Sequence, residues 1–178
     1  LNEQFVRCVN LVETMYFPAS TGGRGGPAAF MKDPAYPALL TYVRRMSYLM
    51  SMGEPAASVA LFLPSSSMWL GDAASDAAFV STERLLSEHQ IDFDIVNEDA
   101  LATDLKAEHD TFTTMSGNQY RTVIVPNAAV ISQAVLDRLR TFAAGGGKVL
   151  FLGHAPTLIS GRTILDARTA TAADFSWA

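Results

Sequence analysis

Apolar positions change their spacing several times along this chain, and each change marks an element. From Leu39 they recur at helical intervals through Val43, Met46 and Met50, the i, i+4, i+7 and i+11 positions of one face. Gly53 stops that helix and Pro55 prevents its continuation. SVALFLP, residues 58–64, is a short continuous apolar run, as in a parallel strand covered on both faces. A polar loop follows. Residues 75–89 predict a helix with Ala78, Phe79, Leu85 and Leu86 inward. IDFDIVN, residues 91–97, alternates: Ile91, Phe93 and Ile95 on one face, Asp92 and Asp94 on the other. That is a half-exposed strand near an edge. Residues 98–105 predict a short helix. TFTTM and YRTVIVP flank SGNQ as a small hairpin leading into a strand at 121–126. Ile131, Val135, Leu139 and Phe142 mark a further helix, and KVLFLG, 148–153, the fourth strand. After Pro156 the pattern fades, and there is no internal repeat.

Strands alternating with helices build right-handed βαβ units. The expected fold is therefore α/β, a flavodoxin-like or Rossmann-like parallel sheet of four or five strands flanked by helices. Residues 1–35 read as an N-terminal segment, helical at first, with a Gly/Pro-rich linker. Residues 36–165 read as the α/β domain and 166–178 as an exit segment.

Composition narrows the function classes. With 49% hydrophobic residues among 178, the chain can bury a core. Its net charge of −5 argues against a nucleic-acid partner, which calls for a basic face. No apolar run approaches the roughly 20 residues of a membrane span. LNEQFVRCVN has no basic n-region before an apolar stretch, so no signal peptide is read there. The absence of an initiator Met points to an excised or processed piece of a longer chain. Cys8 is the single cysteine, so an intrachain disulfide and a Cys-based zinc site are excluded.

The run FAAGGGKVLFLGHAP, 142–156, raises the question of a phosphate loop. Such loops follow a strand and open a helix, so that helix N–H groups face the phosphate. Here Gly145, Gly146 and Gly147 close a helix and precede a strand, and Val149 follows Lys148 where a P-loop has Ser or Thr. The run reads as a helix C-cap and a tight helix-to-strand turn. GGRGG at 22–26 follows no strand and reads as loop.

The carboxyl ends of the strands are the ligand edge of such a sheet. They carry Ser65–Ser67, Asn97, Glu98, Asp99, Asn127 and His154, candidates to line a polar pocket, with Trp69 in a nearby loop. Each has a plainer reading. Asn97 is a good N-cap, and Glu98 and Asp99 suit a first helical turn. The serines make an anion nest or, as favoured here, a turn. Trp69 either stacks on a sugar or peptide or plugs an interface. His154 stands where hydrolase and amidotransferase sheets place a nucleophile, but Gly153-His154-Ala155 has no Ser or Cys. His89 ends a helix. His109-Asp110 has no second histidine at ligand spacing. No catalytic residue, metal or cofactor is assigned.

The stretches YVRRMSYLMSMGEPAASVALFLPSSSMW, IDFDIVNEDAL and YRTVIVPNAAVIS…LRTFAAGGGKVLFLG carry a resemblance. The matching positions are Tyr42, Arg45, Ser47, Tyr48, Leu49, Gly53, Trp69, Asp92, Phe93, Asp94, Val96, Glu98, Asp99 and Leu101. Over roughly residues 36–165 the chain resembles the segment that follows the catalytic barrel in large bacterial glycoside hydrolases of the α-L-rhamnosidase type. It is more loosely similar to the β-galactosidase trimerisation domain, which has an amidotransferase-like fold. The resemblance implies a parent glycosidase whose acid and base lie on a preceding (β/α)₈ barrel, with residues 1–35 its last remnant. No role passes to Glu13, around which no family motif matches. On this reading the chain is a non-catalytic accessory domain, packing on other domains of the parent glycosidase or mediating assembly. A homo-oligomer and a carbohydrate ligand stay open, and no nucleic acid or membrane partner is expected. The implied parent is bacterial, with a periplasmic or secreted location open. The alternative is a free-standing small-molecule-binding or amidotransferase-like α/β protein.

Overall fold

The computed structural model describes residues 1–6, 9–12, 29–53 and 56–178. Cys8, Glu13 and the GGRGG loop lie outside the described residues. The chain forms two compact units, Leu1–Glu54 and Pro55–Ala178.

The first unit holds α1 (Asn2–Val6), a 3₁₀ turn at Ala29–Lys32 and α2 (Tyr36–Met50). Pro37 sits in the first turn of α2, where its missing N–H costs no hydrogen bond. Phe5 is buried and meets Tyr42 edge-on, with ring centres 6.3 Å apart. The Tyr42 hydroxyl donates to Asn2 Oδ1 at 2.5 Å. No residue of α2 is buried, although Leu39, Leu40, Tyr48 and Leu49 are apolar.

The second unit runs β1 (Val59–Phe62), α3 (Ser65–Trp69), α4 (Ala73–Glu88) and β2 (Phe93–Val96). A π-helical turn at Ala100–Asp104 precedes β3 (Lys106–Glu108), β4 (Thr111–Thr113) and β5 (Gln119–Tyr120). Then come β6 (Thr122–Val125), β7 (Val130–Ser132), α5 (Gln133–Ala144), β8 (Lys148–Phe151), β9 (Leu158–Ser160) and β10 (Arg168–Thr169). The main sheet is all parallel, in the order β2-β1-β6-β8. This is the α/β architecture expected from the sequence, with a flavodoxin-like strand order. Two small sheets accompany it, an antiparallel β3-β4-β5 meander and β10-β9-β7.

Strand alternation sends side chains to two cores. Ala60, Phe62, Val96, Val123, Val125 and Val149 share one core with Val135, Leu136, Leu139 and Phe142 of α5. Leu101, Leu105, Phe112 and Tyr120, from the π turn and the meander, complete it. Thus the connection from β2 to β6 is a meander in place of the usual crossover helix. Phe112 stacks on Phe142 at 4.4 Å. Arg138 lies 5.4 Å over the Phe112 ring and donates to the carbonyls of Leu101 and Leu105, tying the π turn to α5.

The other face carries Leu61 and Ile124 against Phe79 and Leu86 of α4. The inward stripe of α4 is Ser75, Phe79, Thr82 and Leu86, at i, i+4, i+7 and i+11. This corrects the sequence reading: Leu85 is 51% exposed and Ala78 only half-buried. Two hydroxyls can sit inward because each is satisfied locally, Ser75 by Asp72 Oδ2 at 2.6 Å and Thr82 by the Ala78 carbonyl at 2.7 Å. Asp72 also caps the helix, accepting from Ala74 N–H.

β2 is an edge strand, but its polar and apolar faces do not divide as expected. Ile95 is 52% exposed, whereas Phe93 on the same face packs against the core under α4. Asp94 is half-buried against the meander, where its Oδ2 accepts from Tyr120 OH and Asn118 Nδ2, both at 2.8 Å.

The three glycines lie between α5 and β8. Gly145 caps α5, Gly146 has φ +103°, and Gly147 N–H donates to the Phe142 carbonyl. A Cβ on Gly145 would stand 2.0 Å from the His109 carbonyl oxygen, so close approach demands glycine there. Residues 166–178 fold back on the domain. Phe175 and Trp177 pack edge-on against Phe151, and Arg168 grips Asp174 with two hydrogen bonds of 2.8 and 3.0 Å.

Gly145→Ala is expected to lower stability by about 2 kcal/mol, since backbone stands in the way. Urea unfolding checks this, and an unchanged midpoint would refute the packing argument. Burial and the Asp94 carboxylate push the Tyr120 hydroxyl from 10.0 up to about 12. The folded state then keeps a proton that the unfolded state releases. The Tyr120 contribution is intact below pH 10.0 and is lost as pH rises towards about 12. Unfolding midpoints in that window should fall more steeply for the parent chain than for Tyr120→Phe; parallel profiles would disprove the coupling.

Candidate functional site

The site begins with the chain's exit from β1. Ser65 N–H donates to the Leu63 carbonyl at 2.8 Å, and α3 starts at once. Three consecutive serines are poor helix formers, and the sequence reads them as a turn. The structure corrects this to a five-residue helix, for two reasons outside its own sequence. Ser66 N–H donates to Glu98 Oε1 at 2.9 Å and Ser66 Oγ to Glu98 Oε2 at 2.6 Å, so a carboxylate from another loop caps the helix. The buried Ser67 hydroxyl bridges to β7, accepting from Val130 N–H at 3.1 Å and lying 3.3 Å from its carbonyl. Held at both points, α3 presents Trp69, which is 85% exposed, and Leu70 beside it.

Glu98 stands at the carboxyl end of β2. Asn97 Oδ1 accepts from Ala100 N–H at 2.9 Å, the capping role its sequence position suggests. Asp99 follows, and among the described residues its carboxylate has no hydrogen-bond or ion-pair partner.

The opposite wall is the loop after β9. Asp166 accepts from the N–H groups of Gly161, Arg162 and Thr163 at 3.1, 2.9 and 3.0 Å. These backbone donors, Thr163 first, hold the Asp166 carboxyl below its usual range. A Cβ on Gly161 would lie 2.6 Å from Asp166 Oδ2, so a side chain there would displace the carboxylate from its present position. The loop projects Arg162, whose guanidinium also lacks a partner among the described residues.

Between these walls lies a cavity of about 420 Å³. Ser66, Trp69, Leu70, Glu98, Asp99 and Ala102 line one side, Ser132 and residues 160–164 the other. The volume is within the usual range for small-molecule sites. The structure thus brings Trp69, Glu98 and Asp99 together. Ser65 and Asn97 flank them without lining the cavity. Asn127 and His154 do not join. Asn127 Oδ1 is buried beside Gly153 with no hydrogen-bond partner among the described residues, and His154 is exposed, its Nδ1 3.0 Å from the Ala155 carbonyl. Sequence reasoning missed the whole second wall, Ser132, Ser160 and Arg162. The one signal available was the Thr163-x-x-Asp166 spacing of a capping box.

Among the described residues no three His, Cys, Asp or Glu side chains converge as a metal site. No described helix is long and apolar enough to cross a membrane.

No curated protein matches this sequence significantly. Among solved structures, the chain is similar to a β-galactosidase from Bifidobacterium adolescentis, with 23% identity and TM-score 0.45 over 60% of this chain and 44% of that one. It is also similar to a rhamnosidase from Novosphingobium sp. PP1Y, with 23% identity and TM-score 0.46 over 66% of this chain and 10% of that one. The chain therefore matches less than half of the first protein and a tenth of the second. The sequence profile of the alpha-L-rhamnosidase family of glycoside hydrolases matches residues 33–175, most of the chain. On the extent of that match, the chain belongs to the alpha-L-rhamnosidase family of glycoside hydrolases.

Proposed function

We propose that this chain is a non-catalytic accessory domain of an α-L-rhamnosidase-type enzyme, packing on its catalytic barrel or mediating assembly. The observation that carries this reading is the state of Glu98. Glycosidic hydrolysis needs two carboxyl groups facing each other across a substrate, roughly 5–10 Å apart, one of them free to exchange a proton. In the cavity both oxygens of Glu98 are engaged in capping α3. Its acidic companion, Asp99, is the next residue in sequence on the same wall. Such an arrangement suits a carboxylate that holds a loop. The exposed apolar residues of α2 fit a surface made to be covered. A second reading, a free-standing small-molecule-binding protein, is favoured by the cavity itself.

The purified chain is expected to release no p-nitrophenol from p-nitrophenyl α-L-rhamnopyranoside above the buffer rate. Turnover that scales with protein and disappears in Glu98→Gln would overturn the proposal. Glu98→Gln is expected to lower unfolding stability by about 1–2 kcal/mol, the loss of a charge-assisted cap. Urea titration reads that change directly, and no shift would mean that Glu98 does not hold α3.

A further inference from the structure

The cavity contains three side chains with nothing to do in the described structure: the indole of Trp69, the carboxylate of Asp99 and the guanidinium of Arg162. Each is carried on backbone that is itself fixed. Trp69 ends a helix tied to Glu98 and to Val130. Asp99 follows the Asn97 cap. Arg162 stands on the loop wrapped round Asp166. Backbone fixed before a ligand arrives loses little freedom on binding it, so only the three side chains have to settle. Leaving an indole in water is also unfavourable, so its exposure at the mouth of a cavity asks for an apolar surface to cover it.

We infer that this cavity binds a neutral pyranose sugar, stacked on Trp69 and hydrogen-bonded by Asp99 and Arg162. A pyranose ring has a C–H face that lies flat on an indole, and a rim of hydroxyl groups. A carboxylate accepts from two neighbouring hydroxyls, and a guanidinium donates to two oxygens through its fixed fork. The cavity supplies one of each, Asp99 on the wall that carries the aromatic platform and Arg162 on the wall facing it. Its charge selects against anions: Glu98 and Asp99 are two carboxylates and Arg162 one guanidinium, which leaves an excess negative charge. A phosphate or a uronate would be repelled where a neutral ring is not. The inference rests on the cavity and not on the accessory reading, so hydrolysis by the isolated chain would leave it standing.

The test is tryptophan fluorescence, confirmed by calorimetry. The chain has two tryptophans, and Trp177 is half-buried, with its Nε1–H donating to the Asp174 carbonyl at 2.6 Å. A ligand-induced change therefore reports Trp69. The probes are L-rhamnose, D-galactose, D-glucuronate and inorganic phosphate. At least one neutral sugar is expected to give a saturable change with Kd on the order of 1 mM, and D-glucuronate to bind at least about tenfold more weakly. Asp99→Asn and Arg162→Gln should each weaken the sugar about tenfold, and Trp69→Ala should abolish the calorimetric signal. These side chains hold nothing in the fold, so unchanged unfolding midpoints in all three variants separate lost binding from lost structure. The inference is overturned by a strictly linear response to both neutral sugars up to about 100 mM. It is equally overturned if phosphate or glucuronate binds as tightly, or if affinity survives in Asp99→Asn and Arg162→Gln.

Discussion

A parallel sheet must be covered on both faces, because its strands cannot turn back on themselves and every one of them needs a crossover. Within the second unit, two long helices, α4 and α5, pack against the four strands. α5 takes one face together with the π turn and the meander, and that core is dense: Phe112 stacks on Phe142 and Arg138 closes over the ring. α4 takes the other face almost alone. On the flanking strands Ile95 of β2 and Leu150 of β8 are about half exposed.

With no long helix directly after β1, the chain fills the carboxyl edge with a five-residue helix that cannot stand by itself. Glu98 supplies the cap and Ser67 the anchor. Since these bonds run to the loop after β2 and to β7, three segments separated in sequence become one wall. The facing loop is organised by one carboxylate, Asp166, that gathers three backbone donors. Anionic side chains thus serve as loop organisers on both sides of the cavity, while Asp99 and Arg162 stay available.

How much of this was legible depends on whether the determining contact is local. The continuous apolar run of β1 announces a buried parallel strand, and the helix-then-glycine order by itself excludes a phosphate loop. The α4 stripe is harder to read, because Ser75 and Thr82 are buried through bonds to Asp72 and Ala78 that hydropathy does not register. β7 is hidden for another reason. Ile131 fits the α5 spacing in sequence but pairs with Ile159 of β9 in space, and α5 begins only at Gln133. α3 and the 160–166 loop owe their shape to Glu98 and Asp166, so for α3 the local pattern of serines points the wrong way. Half of the cavity was legible because Trp69, Glu98 and Asp99 sit near strand ends. The other half was not, because it comes from a segment whose apolar pattern has faded.

The meander between β2 and β6 also bears on the order in which this domain acquires its structure. Pairings in the main sheet join distant positions, Val59 with Phe93 and with Thr122, and Thr122 with Lys148. Each requires a long loop to close before any contact rewards it. The meander joins Glu108 to Thr111 and Phe112 to Tyr120, a few residues apart, so its closure is cheap and fast. Loop-closure entropy therefore favours β-structure first in the segment that lies outside the main sheet. That segment carries Phe112, the ring on which α5 later stacks. An insertion that replaces a crossover helix in the finished fold thus offers the collapsing chain a nearby template on which the slow parallel pairings can be completed.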